Sequence, residues 1–295
     1  MLRGLYTATA GLIANQRRHD TVSNNIANIN TPGYKAKTTV TRSFPEMLIT
    51  MVGGGDGSND QRLKIGRLHT GVFAEEAPSL FKSGSLIETR NMSDFAIVSD
   101  IRVPGARFDE SGKYVTPEGE SVFQPQAMFA VNNENDEERY TRNGNFIINA
   151  AGELVTSDGH RVLDAQRNPI QLDPGISEIR VGEGGTVYDA LTNEAVVGPN
   201  GQPVNLFIAR IENPNQLIRE GNGNFRLNEG NDLPPAINPE DNVQVLQGFL
   251  EQSNVDAAQS MVELMAAQRA YETNQRMVQF YDRSLEKAVN EVGRV

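Results

Sequence analysis

The sequence predicts an α+β protein: long amino- and carboxy-terminal helices form a coiled-coil-like bundle, and the middle folds as a β-rich domain. Two observations carry that prediction. Apolar residues recur every seven places at both ends of the chain, and between the ends short β-type runs alternate with turn residues. In the carboxy-terminal stretch the recurrence is Leu250, Ala257, Leu264, Tyr271, Val278 and Leu285, with Ser260, Ala267, Asn274, Tyr281 and Ala288 three places on from its helical members. Good helix formers fill the positions between, and no Pro or Gly interrupts from Glu251 to Val292. One helix of about forty residues, roughly 60 Å long, is expected. Its apolar stripe is thin and carries polar Ser260 and Asn274, so it must find a partner.

The first thirty residues supply one. Leu5, Ala8, Leu12, Asn15, His19, Val22, Ile26 and Ile29 step by threes and fours. The helix then runs into SNNIANINTPGYK, residues 23–35, where Asn24, Asn25, Asn28 and Asn30 compete with the backbone for hydrogen bonds and mark its end. Thr31-Pro32-Gly33 makes a turn, with Pro setting the first central residue and Gly supplying positive φ at the second. Two roles stay open for this segment: an ordinary helix stop, or a corner whose amides bond neighbouring chains.

Residues 53–60, GGGDGSND, have the composition of a flexible linker. GGDGSN nearly matches one nonapeptide calcium-binding turn, but such turns work in tandem and Asn59 stands at the Asp position, so no metal site is expected. From Leu63 to Phe225 runs such as FAIV, MFAV, NFII and NLFIARI alternate with Gly, Asp, Asn and Pro, the pattern of strands and hairpins. GKYVTPEGESVF (112–123) aligns without gaps on GELVTSDGHRVL (152–163), either by convergence on a common hairpin pattern or as a duplicated hairpin.

Composition narrows the chemistry. The 295 residues carry a net charge of -11 and no basic cluster, which argues against nucleic-acid backbones as partners. There is no Cys, so disulfides, thiolate metal sites and Cys nucleophiles are excluded. His19, His69 and His160 lack metal-site spacing, and no phosphate loop, nucleophile elbow or dinucleotide fingerprint occurs. No catalytic, cofactor-binding or metal residues are expected. The acidic run Glu134 to Glu138 reads as a solvated hairpin loop; a carboxylate pair for sugar hydrolysis remains an alternative. The amino terminus lacks the apolar core of a secretory signal, and no segment reaches the length of a membrane span.

Several segments together resemble a known family. SNNIANINTPGYK and GFLEQSNVDAAQSMVELMAAQRAYETNQRM (248–277) look like the terminal motifs of the bacterial flagellar rod and hook axial proteins, on the branch between proximal and distal rod. SGSLIETRNMSDFAI (83–97), YTRNGNFIINAAGELVTSDGHRVL (140–163) and NPNQLIREGNGNF (213–225) match further blocks. One departure stands out: family members follow the Asp-x-Ala-Ile block with a Gly-x-Gly-Phe-Phe strand, whereas here 99–127 intervenes and MFAV stands in for that strand.

The resemblance implies an organisation, residue by residue. Terminal helices at 1–35 and 250–295 would line an inner tube, 36–62 and 226–249 would be extended connectors, and 63–225 an outer β-rich domain with 99–127 as an insert. Asn24, Asn25, Asn28, Thr31, Pro32, Gly33 and Tyr34 would form an assembly motif, and Leu5, Leu12, Ile26, Leu264, Tyr271, Val278 and Leu285 an assembly seam. The implied function is a structural component of the flagellar basal-body rod, with copies of itself, other axial proteins and the flagellar type III export apparatus as partners. Location in the cell envelope, export without a cleaved signal and the absence of catalysis follow from the same likeness. The alternatives are a hook or cap component of the family, or an envelope peptidoglycan hydrolase.

Overall fold

The structure is a computed structural model that describes the chain apart from residues 1, 52–62, 76, 110–111, 173–175, 177, 183, 199–200, 229, 231, 239 and 293–295, and apart from the side chains of 2, 49–51, 63–65 and 292. The glycine-rich linker and its calcium-like turn lie outside the described residues. The architecture is α+β, with a helix at each end and a β-rich middle. The chain divides into two compact units: Met1–Ala27, Lys37–Pro78 and Asp256–Val295 form the first, and Asn28–Ala36 with Ser79–Val255 the second.

In the first unit, helix α1 (Leu2–Ala27) and helix α2 (Ala257–Lys287) pack side by side. They run antiparallel: Gly4 faces Tyr281, and Gly11 faces Asn274, whose Nδ2 would lie 3.1 Å from a Cβ added at Gly11. The residues buried on the two helices are mostly small: Ala8, Ala14, Ser260 and Ala267, along with Val22 and Asn25. Small side chains let two helix backbones approach closely, which is why interior glycines, each costing about 1 kcal/mol against Ala, are placed where the helices meet. Strands β1 (Thr41–Ser43), β2 (Met47–Met51), β3 (Leu63–Leu68) and β4 (Val72–Ala74) pair as β1 with β4 and β2 with β3. The expected connector 36–62 therefore contains strand, because its Thr, Val, Phe, Met and Ile residues find partners just beyond the linker.

The carboxy-terminal helix is shorter than expected. It starts at Ala257, after Asp256, whose carboxylate caps Gln259 N at 3.0 Å, and ends in a π-turn over Ala288–Val292. Leu250 is therefore not a helical seam residue. It sits in a strand, and Ala257, on the first turn, is exposed. A good N-cap stops a helix from extending backward however favourable the preceding residues are.

The second unit is all β. Its strands are β5 (Leu86–Glu88), β6 (Phe95–Asp100), β7 (Lys113–Val115), β8 (Ser121–Phe123), β9 (Gln126–Asn132), β10 (Glu138–Thr141), β11 (Phe146–Ile148), β12 (Leu154–Thr156), β13 (Arg161–Val162), β14 (Ile179–Val181), β15 (Val187–Asp189), β16 (Ile208–Ile211), β17 (Leu217–Arg219), β18 (Asn224–Leu227), β19 (Asn242–Gln247) and β20 (Phe249–Glu251). An antiparallel sheet runs β11-β12-β13-β9-β10-β18-β17, with β16 also paired to β9. β9 is its centre and is buried on both faces. Ala127, Phe129 and Val131 enter one core with Phe95, Phe146 and Leu154, while Met128 and Ala130 enter another with Tyr140, Phe207 and Phe225. A strand covered on both sides reads as a continuous apolar run, as MFAV does. β19 pairs with β6 over six residues each, so 242–247 of the expected connector belongs to this unit.

The internal echo has a structural counterpart. In both copies Gly119 or Gly159, at φ 90 and 85, donates its N–H back to the carbonyl of Thr116 or Thr156. The same Thr hydroxyls accept from Glu120 N at 3.1 Å and His160 N at 3.2 Å. The likeness extends upstream of the aligned segment, where Asp109 Oδ1 accepts from Lys113 N and Asn149 Oδ1 from Glu153 N, each at 2.9 Å. The copies differ in setting: β12 and β13 lie within the large sheet, whereas β7 and β8 pair only with each other among the described strands. Within the expected insert, Ile101 is part of the core.

Candidate functional site: the buried junction of residues 31–35

The turn at Thr31-Pro32-Gly33 closes as its residue types require. Tyr34 N donates to Thr31 O at 3.3 Å, and Gly33 takes φ +69. A second constraint on Gly33 comes from packing: a Cβ there would meet the carbonyl carbon of Arg142 at 2.5 Å and Asn143 N at 2.6 Å. Gly33 N in turn donates to Glu251 O at 2.7 Å, so this turn is held against both the end of β10 and the end of β20. Tyr34 is buried beneath the guanidinium of Arg219, which stacks on its ring at 3.8 Å and donates to Lys35 O at 3.0 Å. Burial pushes the Tyr34 hydroxyl pKa up, opposed by Arg219.

Beside it lies a buried cluster of three charges. Lys35 Nζ is 2.6 Å from Glu251 Oε1, and Arg142 Nε is 2.7 Å from Glu251 Oε2; all three side chains are 1% exposed. The other donors end on backbone: Lys35 Nζ on Lys82 O at 3.0 Å, Arg142 NH1 on Ala127 O at 2.7 Å and NH2 on Ile97 O at 3.0 Å. Gly84 N donates to Glu251 Oε1 at 2.9 Å. Asn254 completes the junction, accepting from Ala36 N at 2.7 Å and donating to Leu80 O at 2.8 Å.

The electrostatics follow from two cations sharing one anion out of water. Burial drives the Lys35 pKa down to about 8; Glu251 resists this and Arg142 adds to it. Burial would raise the Glu251 pKa, but Arg142 and Lys35 together outweigh it and hold the carboxyl below its ordinary value. Such a cluster is weak evidence for stability, because desolvation can cancel the attraction, but removal of one member is costly. Its chemistry is that of a fastener: all three side chains are buried, and every charged group is already partnered.

The expected site residues are distributed as follows. Asn25 is buried, with Nδ2 donating to Lys37 O at 2.8 Å and Oδ1 accepting from Lys37 N at 2.9 Å, so its amide clamps a backbone position of its own chain. Asn28 Oδ1 accepts from Thr31 Oγ1 at 3.2 Å, and Asn24 is exposed. Thr31 and Pro32 are half-buried. Leu5, Leu12, Ile26, Leu264, Tyr271, Val278 and Leu285 are all half-buried on α1 and α2. In the acidic run, Glu137 pairs with Arg139 and Glu138 with Arg167. Among the described residues no cluster of acidic and His side chains could hold a metal ion, and no helix is long and apolar enough to cross a membrane. Sequence reasoning missed Arg142, Glu251, Arg219 and Asn254. Arg142 and Arg219 stand in blocks otherwise explained by turns, and Glu251 and Asn254 fell within the stretch expected to be helix.

Comparison with known proteins gives the class first. Three family models match: "Flagella basal body rod protein" over residues 5–35, "Flagellar hook protein FlgE/F/G D1 domain" over 122–189 and "Flagellar basal body rod FlgEFG protein C-terminal" over 246–291. The chain belongs to the flagellar rod and hook-basal body protein family. Among its relatives, the flagellar hook-basal body complex protein FlhO of Bacillus subtilis is 35% identical over 297 residues, covering 100% of both chains. The flagellar basal-body rod protein FlgF of Rhizobium meliloti is 31% identical with 99% of each covered, and the rod protein FlgG of Borreliella burgdorferi 28% identical with 98% of each covered.

Proposed function

We propose that this chain is a structural axial component of the flagellar basal-body rod, assembling with copies of itself and with other axial proteins to transmit torque between motor and hook. The observation that carries this is the character of the helix pair. The residues that α1 and α2 bury are mostly small, while Met261, Val262, Met265, Met277 and Phe280 on α2 remain between 45% and 64% exposed, and Tyr6 and Ile13 on α1 are exposed too. At about 25 cal/mol per Å², covering those side chains supplies what the pair alone does not. On this reading the two helices are part of a coiled-coil-like bundle completed by neighbours. The proposed seam is Leu5, Leu12, Ile26, Leu264, Tyr271, Val278 and Leu285, and the proposed motif runs from Asn24 to Tyr34. The terminal segments 1–35 and 250–295 line the tube, and the β-rich part with the insert at 99–127 lies outside it.

Export through the flagellar type III apparatus without a cleaved signal belongs to the same proposal. The relatives' names, rod and hook-basal body complex proteins, support the axial part of the reading over a hydrolase. The test is fractionation of isolated hook-basal bodies carrying a tagged chain, with immunogold placement along the axis. Co-purification with label on the rod is expected. Label confined to the hook or its cap transfers the function to that layer, and sugar release from purified cell-wall polymer returns the hydrolase.

A further inference from the structure

We propose that the Lys35–Glu251–Arg142 cluster is a late-closing lock: it makes completion of the β unit conditional on arrival of the returning strand β20. A chain made or delivered amino end first then holds this unit open until residue 251 has joined it.

The inference rests on where the charges come from. Lys35 and Arg142 are reached early in the chain, and their only anionic partner among the described residues lies 216 and 109 residues further on. Apart from Glu251, the shell around both cations consists of the neutral carbonyls of Lys82, Ala127 and Ile97. Closing that shell over two unpaired cations is the strongly unfavourable half-state of a buried ion cluster. Both side chains therefore stay solvated, and the segments bearing them stay open, until the carboxylate is in place. The same residue also brings backbone partners: Glu251 O for Gly33 N, Glu251 Oε1 for Gly84 N, and the β20–β5 ladder, Phe249 to Glu88 through Glu251 to Leu86. The central strands β9, β10 and β16 need none of these: they pair with one another and with β13 and β18, and none of those ladders includes β20 or β5. Two stages follow: a sheet that forms first, and a junction that closes last around one carboxylate.

The test uses the full chain. During refolding from urea, pulse-labelled hydrogen exchange should show the amides of β9 and β10 protected before those of Gly33 and Gly84. Glu251→Gln should raise the unfolding rate by about fiftyfold or more while changing the folding rate less than about threefold, the signature of an interaction absent from the transition state. Lys35→Gln, which leaves a one-to-one Arg142–Glu251 pair and so avoids an uncompensated charge, should show the same division with a smaller increase in unfolding rate. Protection of Gly33 and Gly84 together with β9, or a slowing of folding that accounts for most of either variant's loss, would overturn the proposal.

Discussion

Gly33→Ala should destabilise the β unit well beyond what backbone strain explains, and the molecule contains its own control. Two costs combine at Gly33. A non-Gly residue at φ +69 carries a left-handed penalty of about 1–2 kcal/mol. The added methyl would also lie 2.5 Å from Arg142 C and 2.6 Å from Asn143 N, backbone atoms next to a side chain tied at three points. Ordinary contact begins near 3.4 Å, so one side must move by most of an ångström. Overpacking of this kind costs about 1–3 kcal/mol. Gly159 has φ +85 with nothing within 4 Å of its added Cβ, so Gly159→Ala carries the conformational cost alone. The first variant should therefore lose about 1–3 kcal/mol more than the second, several degrees in melting temperature for a unit of this size. With no Trp in the chain, urea unfolding is followed by tyrosine near-ultraviolet dichroism, to which buried Tyr34 and Tyr140 contribute. Equal losses from the two substitutions would mean that the junction yields freely, and the reasoning about residues 31–35 would fail.

Glu251→Gln leaves two buried cations without a counter-charge and should cost roughly 3–5 kcal/mol at pH 7. Because the folded Glu251 pKa lies below its ordinary 4.5, the carboxylate's contribution is present above that value and lost as pH falls through the folded one. Acid titration of stability should accordingly be shallower below pH 4.5 in the Gln variant; parallel curves would contradict the assignment. Leu264→Asp or Val278→Asp should abolish rod assembly while leaving the β unit folded, as scored by motility and rod completion beside circular dichroism, since covering an unpaired charge is costly. Normal rods from either would remove the seam. Asn25→Ser loses the two-bond clamp on Lys37 and should speed hydrogen exchange at the Lys37 amide, with about 1–3 kcal/mol lost from the helical unit of the isolated chain; an unchanged amide would mean water replaces the clamp.

What could be read in advance follows from which interactions are local. The two helices announce themselves because a period near 3.5 is a property of neighbouring residues, and the hairpins because Gly and Asn at fixed offsets permit few turns. The start of α2 was misread: the absence of Pro and Gly carried the expected helix back to Glu251, whereas Asp256, three residues before Gln259, caps it at Ala257. The helix-stop reading of the Asn-rich segment was half the matter, since Asn25 holds the backbone of Lys37 twelve residues on. The charge cluster was not legible. Nothing near Lys35, Arg142 or Glu251 marks them as buried, and each sits in a stretch whose other residues have complete local explanations. A pairing between distant positions leaves no periodic trace in one sequence.

The twin hairpins amount to an internal reference standard. Thr116 to Gly119 and Thr156 to Gly159 adopt one turn with one set of hydrogen bonds, yet the first belongs to an isolated two-stranded ribbon and the second to the large sheet. Any substitution made at both places is read out in the same molecule, solvent and denatured ensemble. The difference between the two results then measures what sheet context, with Pro117-Glu118 against Ser157-Asp158, adds to a turn, temperature and chain length being already cancelled.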